Sequence, residues 1–371
     1  MQIGIPTELT DGETRVSVSP ETVKKFKQKG FDIVVEEGAG NKSYFPDSEY
    51  AKQGAQVVDR NQALSADIVI KVNAPSKDEI SKLKQGSYVI AMLDPFNADL
   101  SGFANAKVNA IAMELVPRTS RAQSMDVLSS QANIAGYRAV LEAAAHYPRF
   151  FPMMMTSAGM ARPAKLIVLG VGVAGLQAIA TARRLGAAVD AFDIRPEVKE
   201  QILSLGAKFV EINVGESGTG AGGYAKELSA EAKARQQAEL TERIKKYDIV
   251  ITTANIPGRR APILVTSEAV KGMRPGSVIV DMAAPTGGNC EETEPGKIVD
   301  KGGVKIIGLK NLASLSPCDS SHFYGSNVLA LIDLFVQKTD TGLSWNINFE
   351  DDIIAATLVT YQGQVRFAPK K

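Results

Sequence analysis

The sequence predicts an α/β protein built from two doubly wound, parallel-sheet, Rossmann-like domains that are joined by a long helix. The first observation is the alternation of short apolar strands with helical segments as far as Met113, and the second is its return from Lys165 onward. The third is length, because 371 residues suit two or three domains of about 100–200 residues each.

The first series of elements opens with a strand at 3–5 and a helix at 20–29. Ser19 is the expected N-cap of that helix, Pro20 its first residue, and Gly30 the residue that ends it. Further strands are predicted at 31–35, 67–72, 87–92 and 109–113. Strands that are separated by helices predict a parallel sheet.

A polar stretch without clean periodicity at 117–130 precedes a long helix predicted at 131–146. The second series then places strands at 166–169, 188–193, 208–212, 248–252, 277–281 and 304–307. Beyond residue 310 the sequence predicts a loop at 311–321, a helix at 327–336 and a last strand at 351–358. This tail is too short for a domain of its own, so the expected domains are 1–127 with 312–371, and 128–311.

One glycine-rich stretch interrupts the second series, since residues 214–223 contain five glycines. A loop of this kind inside a compact domain either closes over a ligand or is a plain mobile insertion. The residues alone leave both interpretations open.

Composition and charge exclude several classes of function. The formal net charge is +1, from 42 basic and 41 acidic residues, with no basic block of the kind that binds nucleic acid. Cys290 and Cys318 have neither metal-ligand spacing nor a disulfide framework, which predicts a reducing compartment and no metal site. No apolar run reaches the ~18–20 residues of a membrane helix, and the start resembles a strand more than a signal peptide. A chain that is soluble on its own is therefore expected.

A dinucleotide-binding fingerprint lies at the start of the second series. An apolar strand leads into Gly170, Val171, Gly172, Val173, Ala174 and Gly175, and a helix is predicted at 176–185. The first glycine permits a tight turn, the second lets the backbone approach a pyrophosphate, and the third allows close packing of helix on strand. The amino terminus of the helix adds N–H groups and a positive dipole end for that anion.

Asp193 ends the next predicted strand, 18 positions after Gly175. A carboxylate at this place accepts a hydrogen bond from the ribose 2′-hydroxyl of NAD(H) and repels the 2′-phosphate of NADP(H). Arg195 complicates the assignment, because an arginine nearby can hold that phosphate. The position of Asp193 at the end of the strand favours NAD(H).

Long runs elsewhere in the chain carry a family resemblance. Residues 117–126 read PRTSRAQSMD and residues 128–139 read LSSQANIAGYRA, with shorter matches at 170–181, 222–226, 252–258 and 287–290. These runs resemble the NAD(H)-binding domain of proton-translocating nicotinamide nucleotide transhydrogenase, and the resemblance extends essentially from end to end. Without it, the polar run before the long helix would be interpreted as a solvated linker.

The resemblance implies an enzyme with three components: an NAD(H) domain, a membrane domain that conducts protons, and an NADP(H) domain. This chain is similar to the NAD(H) component, which in some bacteria is a separate subunit. The implied reaction is direct hydride transfer between NAD(H) on this chain and NADP(H) on a partner subunit, coupled to proton movement through a membrane-spanning subunit. A homodimer is also implied, as is a cytoplasmic position on the inner membrane, where the partner subunits hold the chain.

The same resemblance implies roles for individual residues. Arg118, Gln123, Asp126 and Ser129 are implied to contact the nicotinamide end of NAD(H), and Gln123 also to meet the nucleotide of the partner. Tyr224 is implied to close over bound NAD(H), which favours the ligand-gating interpretation of the glycine-rich stretch. The implied nucleotide-binding residues are Gly170, Val171, Gly172, Val173, Ala174, Gly175, Asp193, Ile194, Arg195, Tyr224, Thr253, Ala254 and Asn255.

Alanine dehydrogenase shares this fold and is the main alternative. Arg15 and Lys71 lie where that family holds its substrate carboxylate, but Leu93 stands at the position of its acid/base histidine. Oxidation of an amine or alcohol releases a proton and needs a base, whereas hydride transfer between two nicotinamides needs proximity, alignment and exclusion of water. We therefore expect Arg15 and Lys71 to serve the structure.

The two histidines of the sequence are His146, expected at the end of a helix, and His322, expected before the carboxyl-terminal helix. A third hypothesis, a non-catalytic NAD(H)-sensing module, is disfavoured by the intact run at 117–126. The segment 309–315 departs from the pattern of many transhydrogenase relatives, which leaves its local contacts open.

Overall fold

A computed structural model describes residues 1–212, 229–256, 259–340 and 342–368. The chain divides into two compact units. The first unit is Met1–Gln131 with Ala313–Lys371, and the second unit is Ala132–Leu312. The sequence placed the boundaries at 127/128 and 311/312, whereas the structure places the first of them four residues later, inside a helix.

The helices and strands follow one another in chain order. The first run is β1 (Gln2–Ile5), α1 (Pro20–Gln28), β2 (Asp32–Glu36), α2 (Asp47–Lys52), β3 (Gln56–Val58), α3 (Arg60–Leu64), β4 (Ile68–Asn73), α4 (Lys77–Lys82), β5 (Tyr88–Met92), α5 (Ser101–Asn105), β6 (Asn109–Ala112) and α6 (Val127–His146). The second run is β7 (Met154–Thr156), β8 (Gly159–Ala161), β9 (Lys165–Leu169), α7 (Val173–Arg184), β10 (Ala188–Phe192), α8 (Lys199–Ser204), β11 (Lys208–Phe209), α9 (Ala230–Ile244), β12 (Ile249–Thr252), α10 (Ser267–Gly272), β13 (Val278–Asp281), β14 (Ile298–Lys301) and β15 (Val304–Ile307). The last run is α11 (Pro317–Phe335), β16 (Val336–Thr339), β17 (Gly342–Trp345), α12 (Asp352–Thr357), β18 (Leu358–Tyr361) and β19 (Gln364–Val365).

Within the described residues, the first unit contains an eight-stranded sheet in the order β19-β18-β6-β5-β4-β1-β2-β3. The strands from β1 to β6 pair in parallel, as the alternation of strands and helices predicts. The carboxyl-terminal β18 and β19 are antiparallel, and β18 pairs with β6. The carboxyl-terminal segment thus completes the sheet of the first unit.

The first helix has the ends that the sequence signals. The Ser19 side chain accepts a hydrogen bond from the N–H of Thr22, Pro20 is the first helical residue, and Gly30 has φ +98°. Phe26 lies on the buried face of α1, in the same core as Tyr324 and Phe335 of α11. Both ends of α1 were therefore predictable from local residue types.

Two predictions for the carboxyl-terminal segment are wrong. The loop expected at 311–321 gives way at Pro317 to α11, which begins on a proline at its first position. The strand expected at 351–358 is largely helix α12, because the Asp351 side chain caps it by accepting from the N–H groups of Ile353 and Ile354. The following strand, β18, begins where that prediction ended.

Helix α6 begins four residues earlier than predicted, at Val127. Asp126 immediately precedes it and accepts hydrogen bonds from the N–H and the hydroxyl of Ser129, at 2.9 and 2.6 Å. This capping contact satisfies a donor of the first turn. In the part of the chain that the structure describes, no helix is both long enough and apolar enough to cross a membrane.

The second unit contains a seven-stranded sheet, counted over its described residues, in the order β11-β10-β9-β12-β13-β15-β14. All strands run parallel except β14, which is antiparallel to β15. Successive residues of β9 enter different cores, with Leu166 and Val168 in one and Ile167 and Leu169 in the other. A strand that is buried on both faces explains the uninterrupted apolar run before Gly170.

Candidate functional site

Glycines shape the turn that joins β9 to α7. Gly170 has φ +92°, a backbone angle that L side chains rarely adopt. A Cβ on Gly175 would lie 2.2 Å from the carbonyl oxygen of Gly170, so the packing of helix against strand requires glycine there. At Gly172, a Cβ would meet no atom of the described residues within 4 Å, apart from its chain neighbours. The middle glycine therefore leaves open space beside the start of α7.

The amino terminus of α7 lies beside this open space. Gly172 is its N-cap and provides no side-chain hydrogen bond to the first turn, and Val173 is exposed. β9 also lies where the order of strands reverses, with β10 on one side and β12 on the other. In open parallel sheets, ligands bind outside the carboxyl ends of the strands at such a point. The position and the uncapped N–H groups suit an anion.

Asp193 follows β10, and its carboxylate accepts four hydrogen bonds. The N–H of Val171 donates to Oδ2 at 2.7 Å, and the N–H of Arg195 donates to Oδ1 at 2.9 Å. The Arg195 side chain supplies the other two, from Nε to Oδ1 and from Nη2 to Oδ2, each at 2.9 Å. These hydrogen bonds raise the pKa of the Arg195 guanidinium. Since a carboxylate has about four acceptor sites, Asp193 is saturated by donors of its own chain.

Thr253, Ala254 and Asn255 follow β12, the other neighbour of β9. The Thr253 hydroxyl donates to the carbonyl oxygen of Gly170 at 2.8 Å. Asn255 Oδ1 accepts from the hydroxyl of Thr286 at 3.1 Å. The structure therefore brings this segment and the glycine turn together, at the carboxyl end of the sheet.

Sequence reasoning missed two residues that hold this segment in place. Asp281 is fully buried at the end of β13 and accepts hydrogen bonds from the N–H groups of Ala283, Asn289 and Cys290 and from the hydroxyls of Thr252 and Thr293. Asn289 is also fully buried, and its Nδ2 donates to the carbonyl oxygens of Ala254 and Pro262, at 2.8 and 2.7 Å. The available signal was an acid that ends a strand and is followed by Gly287, Gly288 and Asn289.

The residues implied to act on the nicotinamide lie in the first unit, around the start of α6. Arg118 and Gln123 are exposed, and Gln123 belongs to a short 3-10 helix, Ser120–Met125. Asp126 and Ser129 are half-buried and hydrogen-bonded to each other. The structure therefore pairs these last two residues and presents Arg118 and Gln123 at the surface of this unit.

Several contacts fix the 3-10 helix within the first unit. Its residues Ala122 and Met125 are buried in the core. Asn327 of α11 donates through Nδ2 to the carbonyl oxygen of Ser124 at 2.7 Å. Arg121 forms ion pairs with both Asp351 and Asp352 at the start of α12, and hydrogen bonds from Arg121 lower the pKa of Asp351. Gln123 is thus an exposed side chain on an anchored segment.

Arg15 and Lys71 are buried in the first unit, each against carboxylates. Arg15 Nε and Nη2 donate to the two oxygens of Glu13 at 2.8 and 2.6 Å. Burial would raise the pKa of Glu13, but the hydrogen bonds and the charge of Arg15 lower it to about 2. Lys71 Nζ lies 2.9 Å from Glu79 and 3.5 Å from Glu8. These contacts are those expected of residues that serve the structure.

Leu93 is 1% exposed and carries no group that transfers a proton. Glu114 Oε1 accepts from the backbone N–H of Leu93 at 2.7 Å, which fixes the backbone there. His146 ends α6 as expected, with Nδ1 2.9 Å from the carbonyl oxygen of Glu142. His322 lies inside α11 rather than before it, with Nδ1 3.3 Å from the hydroxyl of Ser19.

Other expectations concern metals and the glycine-rich stretch. Over the described ranges, no group of three or more His, Cys, Asp or Glu side chains is arranged to hold a metal ion. The prediction for the loop at 214–223 and for Tyr224 falls outside the described residues. Pro257 and Gly258, which follow the Thr253 segment, also fall outside them.

Comparisons with known proteins agree with the resemblance found in the sequence. The model of the alanine dehydrogenase/PNT N-terminal domain matches residues 4–135, and that of the C-terminal domain matches residues 139–368. The chain is 46% identical over 367 residues to NAD(P) transhydrogenase subunit alpha of Haemophilus influenzae, covering 98% of this chain and 71% of that one. It is 46% identical over 376 residues to the first part of NAD(P) transhydrogenase subunit alpha of Rhodospirillum rubrum, covering 98% of this chain and 97% of that one.

Solved structures give the same result. Transhydrogenase from Sinorhizobium meliloti superposes with a TM-score of 0.90 at 48% identity, covering 98% of this chain and all of that one. An L-alanine dehydrogenase superposes with a TM-score of 0.80 at 26% identity, covering 98% and 96%. The family prediction and the α/β fold class are confirmed. The chain therefore belongs to the alanine dehydrogenase/PNT family, and within it to the NAD(P) transhydrogenase alpha subunits.

Proposed function

We propose that this chain is the NAD(H)-binding subunit of a proton-translocating transhydrogenase. The observation that carries the proposal is the 46% identity to the first part of NAD(P) transhydrogenase subunit alpha of Rhodospirillum rubrum, over nearly the whole length of both chains. The geometry of the second unit supports binding of NAD(H), and the side chains of the first unit support the transfer of hydride.

The second unit offers the features that NAD(H) requires. The open space at Gly172 and the uncapped start of α7 would receive the pyrophosphate. Asp193 would accept from the adenosine ribose, and its negative charge would repel the 2′-phosphate of NADP(H). Val173, Ala174, Ile194 and the segment from Thr253 to Asn255 would complete the binding surface.

The first unit would act on the nicotinamide end of the nucleotide. When bound, the nicotinamide supplies or accepts the hydride. Arg118 and Asp126 would bind and orient that end, with Ser129 holding Asp126 through the hydrogen bond described above. Gln123 would align the ring with the nucleotide of the partner, since it is exposed on an anchored segment. The proposed roles are positioning and exclusion of water, which are sufficient for hydride transfer between two nicotinamides.

An alanine-dehydrogenase-like activity is the second candidate, and the site does not favour it. Leu93 provides no base where that reaction needs one. Arg15 and Lys71 form ion pairs with the carboxylates of Glu13 and Glu79, which supports a structural role for the two cations. The intact run at 117–126, which contains Arg118, Gln123 and Asp126, also disfavours a module that only senses NAD(H).

The proposal includes partners and a location. We propose that the chain works as a homodimer with an NADP(H)-binding subunit and a membrane-spanning subunit. Through these partners it would lie on the cytoplasmic face of the inner membrane. The names of the relatives support the presence of partner subunits, because each relative is named as a subunit or as a part of one.

One pair of assays tests the proposed function. The purified chain, mixed with the NADP(H)-binding subunit of a transhydrogenase, should transfer hydride between NAD(H) and NADP(H) analogues. The same preparation without the partner should neither oxidise alanine with NAD⁺ nor aminate pyruvate with NADH. Rapid alanine- or pyruvate-dependent turnover by the isolated chain would refute the proposal in favour of the dehydrogenase.

A further inference from the structure

The Arg195 side chain is hydrogen-bonded to the carboxylate of Asp193, which in the proposed function binds the ribose of NAD(H). Its Nε and Nη2 each lie 2.9 Å from an oxygen of Asp193, and Nη2 also donates to the carbonyl oxygen of Val171 at 3.2 Å. The side chains of Arg195 and Asp193 are 17% and 6% exposed. Because water has little access, solvent screens this ion pair less than it screens pairs at the surface.

The four hydrogen-bond donors to Asp193 differ in how readily they can move away from the carboxylate. Two are backbone N–H groups, those of Val171 and Arg195, and they belong to segments that follow β9 and β10 directly. The other two belong to a single side chain, which leaves by rotating about its own bonds. The 2′- and 3′-hydroxyls of a ribose need two acceptor sites, and release of the Arg195 guanidinium frees two.

We propose that Arg195 is a specificity-determining residue that competes with the ribose of NAD(H) for Asp193. While the site is empty, Arg195 holds the carboxylate in one orientation. When NAD(H) binds, the ribose hydroxyls replace the guanidinium. This inference rests on the proposed function, because it needs Asp193 to bind the ribose.

The competition has two consequences for the reaction. Binding of NAD(H) is weakened by the ion pair that must be broken, which favours rapid exchange of nucleotide in an enzyme that releases NAD(H) after each hydride transfer. A 2′-phosphate has no hydroxyl hydrogen to donate to Asp193, so it does not displace Arg195, whose Nε and Nη2 stay hydrogen-bonded to that carboxylate. The arginine that the sequence left as a possible phosphate ligand therefore supports the preference for NAD(H).

The substitution Arg195→Gln tests the competition. We expect NADH to bind this variant about tenfold more tightly than wild type, which corresponds to about 1.4 kcal/mol, as measured by isothermal titration calorimetry. The melting temperature without nucleotide should fall, since Asp193 loses two charge-assisted hydrogen bonds. The rise in melting temperature at saturating NADH should exceed that of wild type. Arg195→Lys keeps the charge with a single donor group, so its affinity should lie between the two.

Two controls isolate the ribose. Arg184→Gln removes the same charge from an exposed side chain in the last turn of α7, roughly 17 Å along the helix from Val173, and should leave NADH affinity unchanged. The gain in affinity from Arg195→Gln should appear with 5′-AMP and shrink with 2′-deoxy-5′-AMP, which lacks one of the competing hydroxyls.

The outcomes separate this inference from the proposed function. If Arg195→Gln and Arg195→Lys bind NADH as weakly as wild type or more weakly, Arg195 only braces Asp193, and the inference is wrong while the proposed function stands. If wild type does not bind NADH at all, both are wrong. Tighter binding with a larger shift of the melting temperature supports the competition, because a purely structural role would move only the melting temperature of the nucleotide-free protein.

Discussion

Replacement of Gly172 by alanine separates the binding role of this glycine from folding. Gly172 has φ −87° and ψ −162°, in the extended region that alanine also adopts. Across the described part of the chain, an added Cβ meets no atom within 4 Å apart from its chain neighbours. The substitution therefore introduces no clash in the nucleotide-free protein.

Two small effects of Gly172→Ala on folding oppose each other. Loss of conformational freedom in the unfolded chain stabilises the variant by about 0.4–1 kcal/mol. Alanine is a poorer N-cap than glycine by a similar amount, roughly 0.5–1 kcal/mol. The net change is close to zero, so the melting temperature should move by less than about 2 °C, given about 2–4 °C per kcal/mol for a domain of this size.

The effect of Gly172→Ala on binding should be much larger. The methyl group fills the space beside α7, and the pyrophosphate of NADH must then move away from the N–H groups of the first turn. One charge-assisted hydrogen bond is worth about 1.5–3 kcal/mol, which is a loss of about 10- to 150-fold in affinity. Calorimetric titration with NADH and thermal unfolding of the same samples measure the two effects.

Gly175→Ala is the matched control, because it adds the same methyl group three positions later. There the Cβ would lie 2.2 Å from the carbonyl oxygen of Gly170, so overpacking should destabilise the second unit by about 1–3 kcal/mol. If Gly172→Ala binds NADH with the affinity of wild type and has the same melting temperature, the open space does not receive the pyrophosphate.

Three further predictions concern single carboxamide substitutions. Gln123→Asn should leave NADH affinity nearly intact but slow hydride transfer in the complex strongly, because a misplacement of about 1 Å can reduce the rate ~100-fold; normal transfer would contradict the alignment role. Asp193→Asn should reduce the ratio of NADH affinity to NADPH affinity in titrations, since it removes the charge that repels the 2′-phosphate and releases Arg195. An unchanged ratio would contradict the role of Asp193 in this preference. The pKa of Glu13 falls from 4.5 to about 2, so its pairing with Arg15 stabilises the fold fully above pH 4.5 and is lost as the pH falls toward 2. Glu13→Gln should therefore be less stable than wild type at neutral pH and lose less stability over that acidic range, as thermal unfolding against pH will show.

Local signals in the sequence were sufficient for some elements and misread for others. Ser19 and Pro20 predicted the start of α1, and the same pair of residue types, Ser316 and Pro317, stands at the start of α11. The second pair lies in the stretch that was predicted as a loop, 311–321, where several polar residues follow Pro317. Their side chains are satisfied by distant partners, as when the Ser321 hydroxyl accepts from the N–H of Val16 at 2.9 Å. Such a contact is decided by tertiary structure, which the local sequence does not show.

The error at α12 has a different physical cause. Asp352-Ile353-Ile354 places two adjacent β-branched residues together, a pattern that favours a strand. Both isoleucines are buried in the core of the first unit. The capping contact of Asp351 and the ion pairs with Arg121 stabilise the helix start instead. Tertiary contacts therefore outweigh an intrinsic preference at this short segment.

The candidate site was predictable where its chemistry is local. The spacing of Gly170, Gly172 and Gly175 sufficed for the turn, because each glycine has a role that depends on its immediate neighbours. The support that Asn289 gives to Ala254 spans 35 positions of sequence, and no local pattern specifies it. The pairing of Arg195 with Asp193 was equally hidden, since residue types alone allow that arginine to serve a phosphate instead.

The return of the carboxyl-terminal segment to the first unit determines how the chain can fold during its synthesis. The Thr360 hydroxyl accepts from the N–H of Ala110, 250 positions earlier, at 2.9 Å. β6 therefore emerges from the ribosome long before β18, whereas the second unit has all its strands in one continuous segment. Until β18 arrives, β6 is an open strand edge that can pair with other chains. A nascent or truncated chain that stops before Leu358 is thus exposed to aggregation, and the pairing of β18 with β6 removes that hazard.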